Sequence, residues 1–379
     1  MKKIFNIFLG ISTLIFCLSI FNTASALNVV FSEDRPDLRT LDPRITQSRH
    51  EEMIIVQMFD QLISADSNGN LYPGLAKSWD VSSDGLHYTF NLRDDVTFHD
   101  GTKFDAAAVK ATFDSIVDPE TGSQGAVDIL GPYASSDVVD EYTVRVNFSR
   151  RYGSALSAFT ETELSIVSPT ALDSLGNDGF GMSPVGTGPF MFTNWEANKK
   201  VEMVKNPDYN WAPEYMDGSG PSKVDTLTYR LIKDTSTRVA ALESGEVDIA
   251  ELVPPLDMKR FDGSGKLSTI VGTVSGLPYS AFLNTTVGQF QDIKVRQAFF
   301  YSLDRVKMTN DLFFGYAEAA FGPISSATPS YWKGNEDYYQ YDTAKAESLL
   351  EEAGWKMGSS GIREKNGETL SIFFPCLLE

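Results

Sequence analysis

LYPGLAKSWDVSSDGLHYTFNLRDDVTFHDGTKFDAAAVKATFDSIV, residues 71–117, carries the clearest structural pattern of the chain. Trp79 and Val81 close an extended run, and Ser82-Ser83-Asp84-Gly85 supplies turn chemistry. Leu86, Tyr88, Phe90 and Leu92 then alternate with His87, Thr89 and Asn91, the period-two pattern of a half-buried strand. Arg93-Asp94-Asp95 breaks that strand, Val96-Thr97-Phe98 is a short extended piece, and His99-Asp100-Gly101 turns again. Asp105 is placed to cap a helix whose apolar stripe is Val109, Phe113, Ile116 and Val117, with Pro119 as its stop. A hairpin with two turns feeds a helix, and nothing in the pattern is catalytic.

The order of these residues resembles a family. Pro73-Gly74-Leu75-Ala76, Ser78-Trp79, Asp84-Gly85, Tyr88-Thr89-Phe90, Leu92-Arg93 and Val96 through Gly101 are similar to the opening lobe of the family 5 extracytoplasmic solute-binding proteins. These are the peptide, nickel and glutathione receptors of bacterial ABC importers. Further motifs follow in the family's order. They are Gly186-Thr187-Gly188-Pro189-Phe190, Lys205 to Tyr209, the run Arg238 to Ile249, Phe290 to Ala298 with Asp304-Arg305, and Tyr341 to Gly354. The resemblance runs from about Leu41 to the end of the chain.

Outward from this stretch, Lys2-Lys3, the apolar run Ile4 to Phe21 and Ala24-Ser25-Ala26 read as a secretory signal cleaved after Ala26. Cleavage removes two lysines and no acids, moving the formal charge from −19 to −21. That acidity argues against nucleic acid and against an anionic membrane surface. Cys17 leaves with the signal, so Cys376 remains alone and an internal disulfide is excluded. The remaining chain, about 350 residues, is ample for two lobes with cores of their own.

Leu27 to Phe31 reads as a strand, and Thr40-Leu41-Asp42-Pro43 as the turn leaving it. Glu51 to Ile63 has helical spacing, with Ile54, Ile55, Met58, Phe59 and Leu62 on one face. Tyr142 to Phe148, Phe190 to Trp195 and Val224 to Ile232 are strands. Ser168-Pro169 starts a short helix, Thr235 caps another, and Pro254-Pro255 is a surface connection. Tyr279 to Asn284 reads as a crossing between lobes. Asp292 caps a long helix burying Val295, Ala298 and Val306, and Asp342 caps the last, with Gly354 as its stop. Leu370 to Phe374 reads as an apolar strand.

The resemblance implies an α/β, two-lobed periplasmic binding protein of type II, in the large peptide-binding class. Residues 1–26 form the signal peptide and 27–278 the first lobe, with a subdomain of about 60–184 inserted; 279–379 form a second, incomplete lobe. Family members continue well past the position of Glu379, so the sequence reads as a fragment. The implied partners are a short peptide or other small solute and an inner-membrane ABC permease, with no cofactor; the protein is expected to be a monomer in the periplasm. By the resemblance, Thr46, Gln47, Thr160 and Glu161 line the ligand cleft. The carboxylate that peptide-binding members use for the ligand's amino terminus lies beyond Glu379. Nickel-binding relatives use an arginine near the position of Thr162 to Ser165, where this chain has none. Peptide therefore leads over nickel chelate, glutathione or sugar.

Enzymatic readings find little in the residues. Three histidines, His50 in a polar loop, His87 and His99, are too few and too scattered for a metal site. No Ser–His or Cys–His constellation can be read, and Glu161 with Glu163 is a spacing that an acidic chain supplies by chance. Gly186-Thr187-Gly188 lacks the lysine and the following helix of a phosphate loop, and reads as a tight turn where a side chain would clash. An exported hydrolase is the alternative of a different class.

Overall fold

The computed structural model describes residues 26–31, 38–216, 218 and 220–373. The signal segment up to Ser25, and with it the cleavage expectation, lies outside the described residues, as do Phe374 and Cys376.

The hairpin stretch folds as its pattern demands. His87–Leu92 alternates strictly, burying Tyr88, Phe90 and Leu92. It pairs antiparallel with Ala76–Val81 on one side and Thr143–Phe148 on the other, and Tyr133–Asp140 completes a four-stranded antiparallel sheet. The Asp105 carboxylate accepts the Ala108 amide at 2.9 Å, opening the helix Ala106–Val117. That helix lays Val109, Phe113 and Ile116 on the core; Val117, expected on the same stripe, is exposed at the last helical position. Phe159 sits at the centre, with ring centroids 5.0 Å from Phe90, 5.8 Å from Phe113 and 6.2 Å from Tyr88. Each such ring stabilises the fold by about 2–3 kcal/mol through burial.

A second sheet is mixed and five-stranded. Ala26–Phe31 lies between Thr226–Leu231 and Ile249–Ala250, parallel to both. Lys200–Lys205 and Phe190–Glu196 continue it antiparallel beyond Thr226–Leu231. Val201, Met203, Leu227 and Tyr229 pack with Ile54, Ile55, Met58 and Phe59 into a core of their own.

The two cores meet where the chain leaves the second sheet at 57–62 and returns at 185–190. The Gly188 amide donates to Met58 O and the Phe190 amide to Gln57 O, each at 2.9 Å. These bonds capture two carbonyls that a continuing helix would need, so the helix expected over Glu51–Ile63 is only Arg49–Ile55. The apolar face nevertheless stays buried through Leu62, and Ile63 begins the short strand Ile63–Ala65. A Cβ on Gly186 would lie 2.2 Å from Met58 O, and one on Gly188 2.5 Å from Met58 C, so the expected clash is with backbone. His50, expected in a loop, is the second residue of the Arg49–Ile55 helix.

Several other boundaries shift. The 235–244 helix is capped by Asp234, which accepts the Thr237 amide at 2.7 Å, and Gly245 ends it at φ +74°. Pro255 opens the helix Pro255–Asp262. Asp292 caps Ile293–Tyr301, which buries Val295 and Ala298. The long helix then breaks: Asp304 caps a separate helix, Arg305–Phe313, and Val306 is exposed. Asp342 caps Thr343–Glu352, and Gly354 follows at φ +87°. Tyr279 to Asn284 is irregular, with Tyr279 104% and Phe282 80% exposed. Residues 370–373 form no strand, and a small three-stranded sheet ends at Thr369.

Candidate functional site

The turn at Leu41 to Thr46 is held by buried charge. Arg44 grips Asp42 through Nη2 at 2.6 Å and Nε at 3.1 Å, both side chains being fully buried. Ser115 and Asn177 accept its other donors, and the Phe180 ring lies 5.5 Å from the guanidinium. Glu51, one turn into its helix, accepts the Arg39 and Thr40 amides and the Thr46 hydroxyl. Thr46 is therefore buried, with its hydroxyl committed to Glu51 at 2.7 Å. Gln47 is exposed and donates to the Gln124 side chain at 2.8 Å.

Two elements then bring carboxylates near one another. Glu52 comes from the Arg49–Ile55 helix, and Glu161 and Glu163 from the turn around Thr162–Leu164. Burial raises Glu52 above the usual carboxylate range, and Glu163 and Glu161 add to that; Arg49 opposes it. Glu161 is raised by burial first and by Glu163 second, although its side chain keeps an exposed edge. Glu251 follows the strand Ile249–Ala250 and is raised by burial, again against Arg49. Arg49 thus faces two of these glutamates, Glu52 and Glu251, while Glu161 and Glu163 face Glu52. The arrangement suits a cationic group, since a carboxylate held against its own kind gains most from an ammonium.

A cavity of about 490 Å³ adjoins this rim. Thr160 and Thr162, which alternate with Glu161 and Glu163, line it, as do Val56 and Gln57, one turn on from Glu52. Tyr209, Trp211 and Tyr215 form its aromatic side. The Thr160 hydroxyl donates to Ser157 O at 2.7 Å. Among the four residues expected at the cleft, Thr160 and Glu161 lie at the cavity and its rim, whereas Thr46 and Gln47 are engaged elsewhere. Sequence reasoning missed Glu52, Glu251, Arg49 and the aromatic wall. Glu52 alone had a signal, a polar position one helical turn from the buried stripe. Among the described residues no group of three or more His, Cys, Asp or Glu is placed to hold a metal. His99 is hydrogen-bonded in its turn: its Nε2 meets Gly188 O at 2.9 Å, and its Nδ1 is buried.

The profile of the bacterial extracellular solute-binding proteins, family 5 Middle, matches residues 70–376. The chain belongs to that family. Its relatives are binding proteins. The glutathione-binding protein GsiB of Pectobacterium atrosepticum is 32% identical over 319 residues, covering 84% of this chain and 60% of that protein. NikA from Brucella suis, solved with Fe(III)-EDTA, superposes with a TM-score of 0.75 at 28% identity, covering 90% of this chain and 68% of that one. DppA from Helicobacter pylori, an ABC transporter-associated periplasmic binding protein solved with the peptide STSA, gives 0.69 at 26% identity, covering 87% and 67%. The chain thus spans 60–66% of the length of its curated glutathione-binding relatives. This family 5 fold is the α/β, type II periplasmic binding-protein architecture. No helix among the described residues is long and apolar enough to cross a membrane.

Proposed function

We propose that the chain is the solute-capturing component of an ABC importer, taking a small solute with a free amino group, foremost a short peptide. Two lobes, 27–278 with 60–184 inserted and 279 onward, close over the ligand and present it to an inner-membrane permease. The exported protein works in the periplasm as a monomer, by binding without turnover. The observation that carries this reading is the meeting of Glu52 with Glu161 and Glu163, and the place of Arg49 beside both Glu52 and Glu251. An ammonium bound there relieves repulsion between carboxylates, and Arg49 offers a partner for a ligand carboxylate. The name of the 32% identical relative favours glutathione as the second reading. Glutathione also carries an ammonium, but its net negative charge opposes this rim.

Calorimetry and thermal shift on the purified chain test the proposal. The panel is di- to pentapeptides with free or acetylated amino termini, glutathione, nickel–histidine and oligosaccharides. Free-amine peptides are expected to bind, and acetylation or Glu161→Gln to weaken them. A ligand at a hundredfold excess over its Kd raises stability by about 2.7 kcal/mol. Recovery of intact peptide after incubation separates a receptor from a hydrolase. The proposal fails if acetylated peptides bind equally well, or if only a sugar or chelate gives a shift.

A further inference from the structure

A second cavity, of about 350 Å³, shares no lining residue with the one beside the glutamates. The turn at His99-Asp100 forms one wall, and the paired strands Phe190–Glu196 and Lys200–Lys205 form another. Met191 and Val204 are register partners on those strands and both line the cavity. Alternation puts them on the face opposite Val201 and Met203, which are in the core, and leaves them half-buried. Asp100 is the cavity's one carboxylate. Its Oδ1 accepts the Thr102 amide at 2.9 Å and the Thr102 hydroxyl at 2.5 Å, and its Oδ2 accepts the Ser168 hydroxyl at 2.6 Å. A carboxylate offers about four acceptor positions, so Oδ2 keeps one unused. All three donors are neutral. The cations nearest in sequence, Arg93 and Lys103, are paired with Asp95 and Glu141 instead. Burial pushes the Asp100 carboxyl up, but the hydrogen bonds from Ser168 and Thr102 outweigh it and hold the group below the usual carboxylate range. It is therefore anionic at neutral pH.

We infer that this cavity is a binding site for a small primary ammonium carried on one aromatic or branched aliphatic group, separate from the site of the transported solute. The ammonium donates to Asp100 Oδ2, a charge-assisted bond that displaces none of the existing donors. The apolar body covers Met191 and Val204, removing both surfaces from water. The volume is at the small end for ligand cavities, enough for a single ring. The two walls belong to different cores: Phe98, next to the turn, packs in the first, and Phe190 and Met203, on the strands, in the second. A ligand held here therefore ties the four-stranded sheet to the five-stranded one, at the junction where His99 meets Gly188 O.

Ligand-observed NMR titrations of the full chain with benzylamine, benzyl alcohol and methylamine read the two halves of the site. Benzylamine is expected to bind at least ~10-fold more tightly than either of the others, each of which lacks one half. Met191→Trp and Ser183→Trp fill the cavity and should each displace benzylamine; Ser183 is exposed, so the fold tolerates the second change. Asp100→Asn removes the charge with little change of shape and should bring benzylamine down to the affinity of benzyl alcohol. If that variant fails to fold, the amine-to-alcohol ratio of the wild type carries the same test. Benzylamine should also raise the melting temperature of the wild type and not of Ser183→Trp. Absence of benzylamine binding overturns the site, as does equal affinity for benzyl alcohol. Binding lost in Glu161→Gln but kept in Met191→Trp and Ser183→Trp puts benzylamine at the glutamates and likewise overturns it.

Discussion

Lowering the pH should weaken the junction between the two cores through one residue, His99. Its Nε2 lies 2.9 Å from Gly188 O, while Nδ1 is buried without a partner. Protonation would place a second donor where no acceptor exists, so burial depresses the imidazole from 6.5 to about 4. The folded pKa is below the unfolded one. The unfolded chain therefore binds the proton first, and the stabilising contribution, complete above pH 6.5, is lost as pH falls toward 4. The gap corresponds to about 3 kcal/mol. Other carboxylates titrate in the same window, so the assay must compare wild type with His99→Gln, whose amide can still donate to Gly188 O but does not titrate. Urea unfolding followed by tryptophan fluorescence from pH 7.5 to 4 should show wild type losing about 3 kcal/mol relative to the variant. A stability difference that stays constant across that range would refute the reasoning.

Three further outcomes follow from the structure. Gly188→Ala brings a Cβ to 2.5 Å from Met58 C and 2.6 Å from Phe59 N, and should cost about 1–3 kcal/mol or more in chemical denaturation. Asp42→Ala leaves the Arg44 guanidinium buried and unpaired, at a cost of about 3–5 kcal/mol, and Asp42→Leu with Arg44→Met should recover most of it in a thermal melt. Because Glu52, Glu161 and Glu251 are all raised, a bound ammonium lowers their pKa values. Peptide affinity measured by calorimetry should therefore fall as pH drops through the carboxylate range, and Glu52→Gln with Glu161→Gln should flatten that dependence.

Much of the fold could be read locally. The alternation of Tyr88, Phe90 and Leu92, the carboxylates at Asp105, Asp292 and Asp342, and the glycines at 245 and 354 act through neighbours within four residues, so their effect is written in order along the chain. The family was legible for the same reason: its motifs are these turns and caps. Where distant backbone intervened, the reading slipped. The helix after Ser48 has apolar spacing through Leu62, but it stops at Ile55 because Gly188 and Phe190, more than a hundred residues away, claim the carbonyls of Met58 and Gln57. In this helix sequence periodicity told correctly which side chains are buried; it does not fix which partner satisfies the backbone.

The site divides the same way. Thr160 and Glu161 were expected at a cleft from the resemblance, and Thr160 lines the cavity. The rim as a charge cluster could not be foreseen, because Glu52, Glu163 and Glu251 come from a helix, a turn and the end of an edge strand. Electrostatic energy depends on separation in space, and a sequence with 51 acidic residues offers no way to tell which of them will meet. His99 makes the point in a single residue. Its turn was evident from His99-Asp100-Gly101, but its burial against Gly188 O was decided by the tertiary fold, which alone withholds water from Nδ1.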